Sequence, residues 1–212
     1  MKEYTKIDTI FARDMEGTKR LMPGVFRSKT VEYLAGADWV WTEKIDGTNI
    51  RVYWDGHRVE FGGRTEKAQI PAKLVAFLNE KFGGALNEEV FEQKFGENEV
   101  ILFGEGYGAG IQKGGSYRSD VSFILFDVCV GNVFLERENV EDIAKTFGLD
   151  VVPIVGRGTL SEAVEFIKSH PASTIGTAMM EGVVARPAVE LKDRLGRRVI
   201  VKIKWEDFRF LV

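Results

Sequence analysis

The chain has 212 residues, 44% of them hydrophobic and 29% charged, an ordinary composition for a soluble globular protein with one sizeable core. A formal net charge of −3 excludes a uniformly basic nucleic-acid coat but not a local basic face, because affinity for phosphates depends on where Lys and Arg cluster. The single cysteine, Cys129, excludes an internal disulfide framework, and no run has the length of a membrane span or the form of a signal core, so a cytoplasmic location is expected.

Residues 1–38 are mixed, with a short apolar patch at Ile7 to Phe11 and a turn-rich stretch around Pro23-Gly24. Trp39 to Ile45 and Asn49 to Trp54 read as strands, and Asp55-Gly56 predicts a type I′ hairpin turn returning through His57 to Phe61. Pro71 to Phe82 reads as a helix, with Pro71 in its first turn, an apolar stripe at Leu74, Phe77 and Leu78, and Gly83-Gly84 as its stop. A second helix covers Glu88 to Phe95. Strands follow at Glu99 to Glu105 and Ser122 to Val128, then short amphipathic helices at Glu138 to Phe147 and at Ser161 to Lys168, the latter with Ser161 as N-cap. Glu181 to Arg186 and Arg198 to Lys204 close the set as strands. Scattered strands among few helices predict an α+β fold with largely antiparallel sheets.

The candidate chemistry begins in Glu43-Lys-Ile-Asp-Gly-Thr-Asn49, where Lys44 sits between an apolar strand and an Asp-Gly turn. At a sheet mouth, partial burial and neighbouring cations lower a lysine's pKa and make its amine a nucleophile. Glu105 ends a predicted strand and opens the glycine-rich stretch Gly106 to Gly115, whose spacing fits neither a Walker loop nor a dinucleotide fingerprint. In Val199-Ile-Val-Lys-Ile-Lys-Trp205, a strand period of two puts Lys202 and Lys204 on one face and Val201, Ile203 and Trp205 on the other. Two lysines side by side repel, so that face calls for an anion. His57 and His170 read as surface residues and Cys129 as a core thiol.

The order Lys44-Ile-Asp-Gly, Arg64, Phe103-Gly-Glu105, Phe126-Asp127, Glu181-Gly and Lys202-Ile-Lys204 resembles the covalent nucleotidyltransferases, among them ATP-dependent ligases and mRNA capping enzymes. Within these, Glu43-Lys-Ile-Asp-Gly-Thr-Asn49 and Phe103-Gly-Glu-Gly-Tyr-Gly-Ala-Gly-Ile-Gln-Lys113 are most similar to the RNA ligase 2 family, over about residues 39–208. Two departures stand out. Family members often carry His where this chain has Asp46, as DNA ligases and capping enzymes do not. The sequence given also ends eight residues after Lys204, which leaves no room for a C-terminal or OB-fold domain and gives the expectation of one adenylyltransferase domain over residues 1–212.

The resemblance implies an ATP-grasp-like ligase domain that uses ATP and Mg2+ (or Mn2+). Lys44 would take AMP, pass it to an RNA 5′-phosphate and allow a 3′-hydroxyl to seal the strand. It implies catalytic roles for Lys44, Lys202, Lys204 and Glu181, and nucleotide contacts for Glu43, Asp46, Asn49, Arg64, Glu105 and Phe126, with Phe126 stacked on adenine and Glu43 accepting from its amino group. Glu181 and Asp127 are the candidate metal ligands, Asp127 equally a brace for its strand. RNA ends are the expected partner, held by a local basic set that includes Arg64, Lys113, Arg118, Arg194, Arg197 and Arg198. Two other classes stay open: a related transferase acting on DNA nicks or mRNA caps, and a non-catalytic end-binding module.

Overall fold

The computed structural model describes residues 1–210. The chain divides into two compact units that interleave along the sequence: a terminal unit of Thr5–Ile45 with the chain from Pro153 onward, and a central unit of Met1–Tyr4 with Asp46–Val152.

The terminal unit opens with β1 (Asp8–Thr9), β2 (Phe11–Arg13) and β3 (Leu21–Phe26), then α1 (Lys29–Leu34) and β4 (Trp39–Glu43). Residues read from the sequence as a turn-rich stretch thus include strand, with Gly24 at φ +84° inside β3. In the central unit, β5 (Thr48–Trp54) and β6 (Val59–Gly62) precede α2 (Ala72–Phe82), α3 (Ala85–Phe95), β7 (Val100–Gly108), β8 (Val121–Val130), β9 (Val133–Phe134), α4 (Arg137–Phe147) and β10 (Asp150–Val151). The chain then returns to the terminal unit through β11 (Ile154–Gly158), α5 (Leu160–Lys168), β12 (Gly182–Pro187) and β13 (Val201–Lys204). This is the α+β organisation expected, antiparallel throughout both main sheets except at the β1–β13 and β8–β10 edges.

The terminal sheet runs β1-β13-β12-β4-β11. Its core gathers Trp39, Trp41, Val183, Ala185, Val201 and Ile203 against Leu160, Ala163, Val164 and Ile167 of α5. That helix is capped by Thr159, not by Ser161, because only Thr159 has a glutamate three residues on. The Thr159 hydroxyl accepts from Glu162 N while the Glu162 carboxylate accepts from Thr159 N, a reciprocal capping box.

The central sheet runs β10-β8-β7-β5-β6, with β9 beside β8. One face, with Ile50, Val52, Trp54, Val100, Leu102, Phe123 and Leu125, is covered by Leu74, Leu78, Phe82, Phe91 and Ile143 of the helices. The other carries Ile101, Phe103, Cys129 and, packed on them, Tyr4, Tyr53 and Phe126. The β5–β6 hairpin forms as predicted, but not through a type I′ turn. Asp55 keeps negative φ, and its Oδ1 accepts from the N–H groups of His57 and Arg58, so the side chain closes a four-residue loop. Strand β7 continues past Glu105 to Gly108, because Gly106, Tyr107 and Gly108 stay paired with Phe123, Ser122 and Val121 of β8. Among the described residues no helix is long and apolar enough to cross a membrane.

Candidate active site

In the terminal unit, three adjacent strands bring three site residues together. Lys44 follows β4, and its N–H donates to Gly182 O at 2.9 Å. Glu181 precedes β12, and its carbonyl accepts from Trp205 N just past β13. Register pairs Gly182 with Lys204 and Val184 with Lys202. Gly182 must be glycine, since a Cβ there would stand 2.2 Å from Ile203 O. With the backbones this close, Lys44 Nζ lies 2.7 Å from Glu181 Oε2 and Lys204 Nζ 2.9 Å from Glu181 Oε1. One carboxylate bridges two ammonium groups, all three side chains being mostly but not wholly buried.

Lys202 shares the face of Lys204 while Val201 and Ile203 are buried opposite, the alternation read from the sequence. Lys204 also reaches Glu206 at 2.9 Å. Burial works to lower the Lys204 pKa, but the hydrogen bonds and charges of Glu206 and Glu181 outweigh it and hold the ammonium above its ordinary value. The same contact holds Glu206 below the usual carboxylate range. Such a face, with Lys44, Lys202 and Lys204 against Glu181 and the exposed Glu206, suits an anionic group.

Glu43 ends β4, one residue before Lys44. It is 1% exposed, and its carboxylate accepts from Ser173 Oγ, Thr174 Oγ1 and Thr174 N. These partners were missed in the sequence because they lie 130 residues away in a loop without periodicity. Also missed was the ring of His170, half-buried and stacked on Trp205 with centroids 3.7 Å apart, where the sequence suggested a plain surface residue.

In the central unit, Asn49 faces Glu105 across β5 and β7. The approach of these strands explains the glycine of the Lys-Ile-Asp-Gly motif, because a Cβ on Gly47 would stand 2.3 Å from Gly106 O and 2.8 Å from Glu105 Cγ. Asn49 Oδ1 is buried and has no hydrogen-bond partner among the described residues, an acceptor left over at the strand end. Asp46 N donates to Tyr117 Oη at 3.3 Å. Arg64 is exposed beyond Gly63. Phe126 is the extra residue of a β-bulge, since Phe103 pairs with Asp127 and Gly104 with Leu125. The bulge shifts the strand's phase by one, leaving Phe126 half-buried against the edge of Tyr4, 5.0 Å between centroids. Asp127 is fully buried and accepts from Tyr4 Oη at 2.8 Å.

Among the described residues no three His, Cys, Asp or Glu side chains are grouped to cage a metal ion. Mg2+ does not need such a cage, since it is usually held by one or two carboxylates together with water and substrate phosphates. The partly exposed Glu181 fits that pattern. The burial of Asp127 and its bond to Tyr4 favour its other role, bracing the sheet.

Largely antiparallel sheets with helices in an α+β fold are the organisation of RNA ligase nucleotidyltransferase domains. The family model described as RNA ligase matches residues 37–204, and the chain belongs to that family. Its fold is similar to that of Naegleria gruberi RNA ligase solved with PPi (TM-score 0.64, 18% identity, covering 100% of this chain and 64% of that one). It is also similar to a lysine-to-alanine variant of a Naegleria gruberi RNA ligase solved with ATP and Mn (TM-score 0.63, 18% identity, 98% and 64%). An apo lysine-to-alanine variant gives a TM-score of 0.63 at 19% identity, covering 86% of this chain and 54% of that one. The chain thus spans 54% to 64% of the length of these solved ligases.

Proposed function

We propose that the chain is the nucleotidyltransferase part of an ATP-dependent RNA ligase and that Lys44 is the residue that takes AMP. The observation that carries this reading is the carboxylate of Glu181 shared between Lys44 and Lys204 at 2.7 and 2.9 Å. The lysine amine attacks the α-phosphorus of ATP; a P–N bond forms and the P–O bond to pyrophosphate breaks. Before attack the ammonium gives up a proton, and Glu181 Oε2 is in hydrogen-bond contact to receive it. Lys202 and Lys204 then face the phosphate oxygens, where charge gathers in the transition state. A divalent cation, held through Glu181, would supply further neutralisation of the phosphates.

AMP next passes from Lys44 to the 5′-phosphate of an RNA strand, and a 3′-hydroxyl displaces AMP to form the phosphodiester. For the nucleotide, the half-buried Phe126 offers its ring for stacking on adenine, Glu105 can accept from the ribose hydroxyls, Arg64 and Asn49 suit phosphate or sugar contacts, and Asp46 is a further nucleotide contact. ATP and Mn in solved relatives of similar fold support the choice of nucleotide and metal.

The test is a substrate comparison. RNA with 5′-phosphate and 3′-hydroxyl ends should be sealed with ATP, and DNA nicks should be sealed more slowly. Transfer of GMP from GTP to a 5′-diphosphate RNA end, with release of pyrophosphate, would replace the reading with cap chemistry. Preferential DNA sealing would replace the substrate, and binding of RNA ends without nucleotide transfer would make the chain an end-binding module.

A further inference from the structure

We propose that Ser173 and Thr174 are positioning residues for the nucleophile, clamping Glu43 and thereby fixing the strand end that presents Lys44. The proposal rests on the reading of Lys44 as the AMP acceptor. A carboxylate offers about four lone-pair positions. On Glu43, Oε2 receives Thr174 N at 2.9 Å and Thr174 Oγ1 at 2.5 Å, while Oε1 receives Ser173 Oγ at 2.5 Å. The Ser173 oxygen in turn accepts from Ile175 N at 3.0 Å. The Ile175 carbonyl lies 2.8 Å from the same hydroxyl and competes for its one hydrogen, but the charged acceptor forms the stronger bond. Three of four positions are therefore filled, on a carboxylate that is 1% exposed. A group so placed has one orientation, because leaving it would strand a buried charge.

The clamp is itself built. Ala172 bridges Met179, Ser173 N donates to Ala178 O, and Met180 N donates to Pro171 O, which makes residues 171–180 a tight hairpin turning at Gly176 with φ +75°. This hairpin runs directly into Glu181, the partner of Lys44. Successive residues of a strand point to opposite faces. One segment therefore grips consecutive residues of the nucleophile strand from both sides: Glu43 by its beginning and Lys44 by its end. Neither serine nor threonine need touch the nucleotide for this; both act through Glu43.

The test follows transfer of AMP from ATP to the full chain with magnesium, by mass and by initial rate. Ser173→Ala/Thr174→Val should lower the rate at saturating ATP by about 10- to 100-fold, the scale of a misplaced reacting group, with a smaller change in KM. Ser173→Thr and Thr174→Ser, which keep the hydroxyls, should restore most of that rate. Glu43→Ala should be slow as well, and adding Ser173→Ala/Thr174→Val to it should cost nothing more, because all three act as one unit. Melting curves separate slow folded variants from unfolded ones. A normal rate in the double variant, a defect additive with Glu43→Ala, or no rescue by the conservative variants in folded protein would overturn the clamp while leaving the ligase reading in place. A wild-type chain that takes no AMP would overturn both.

Discussion

At the scale of single residues, the cluster around Glu181 turns general electrostatics into specific behaviour. Lys204→Ala leaves Glu181 with Lys44 alone and removes a cation from the phosphate-facing side. AMP transfer should slow by about 100-fold or more, the size of one preorganised electrostatic contact; Lys202→Ala should act in the same direction. Variants that take AMP at the wild-type rate and lose only RNA affinity would contradict this.

A pH dependence follows from Glu206. Its pKa is held below the ordinary glutamate value of 4.5 by Lys204, so its contribution is present above that value and lost as pH falls through the lower folded-state one. Glu206 is 60% exposed, which limits the pair to about 0.2–1 kcal/mol. The stability gap between wild type and Glu206→Gln should be measurable near pH 6 and close on approach to strongly acidic pH; a gap that widens in acid would reverse the assignment. Lys204 has the opposite sign. Its raised pKa means its contribution persists through neutral pH and is lost only as pH climbs above 10.5 to the folded-state value.

At the scale of elements, what could be read from the sequence depended on whether the signal was local. The β13 alternation needs only a period of two, so Lys202 and Lys204 fell on the expected face. Helix α2 was legible from its apolar stripe and its glycine stop. The start of α5 was misread although the capping box Thr159 to Glu162 stood in the sequence. The bulge at Phe126 and the continuation of β7 through Gly106-Tyr107-Gly108 were not legible, since both are decided by pairing with a strand elsewhere in the chain. The grip of Ser173 and Thr174 on Glu43 belongs to the same class. Gly47 tests the strand approach directly: Gly47→Ala puts a methyl group into the backbone of Gly106, so urea or thermal unfolding should show a loss of about 1–3 kcal/mol. Wild-type stability in that variant would mean that β5 and β7 have room to part.

At the scale of the whole molecule, the basic set inferred from the sequence is weaker than its count suggests. Arg118 is paired with Asp120, Arg197 with Asp193, and the buried Arg198 with Glu190. Arg64 and Lys113 in the central unit and Arg194 in the terminal unit remain exposed. With half of that set already paired to carboxylates on a chain of net charge −3, RNA holding should be weak. Because each phosphate contact releases counterions, sealing of a nicked RNA duplex should fall steeply along a salt series, while AMP transfer to Lys44 changes less. Parallel salt dependence of the two steps, or tight salt-resistant RNA binding, would contradict this.

The central claim, that Lys44 carries AMP, is tested most directly by intact mass. The wild-type chain incubated with ATP and magnesium should gain the mass of one AMP, and the adduct should map to Lys44. Lys44→Ala should gain nothing while remaining folded, which its melting curve checks. An adduct on Lys44→Ala, or a folded wild-type chain that stays unmodified, would contradict the account.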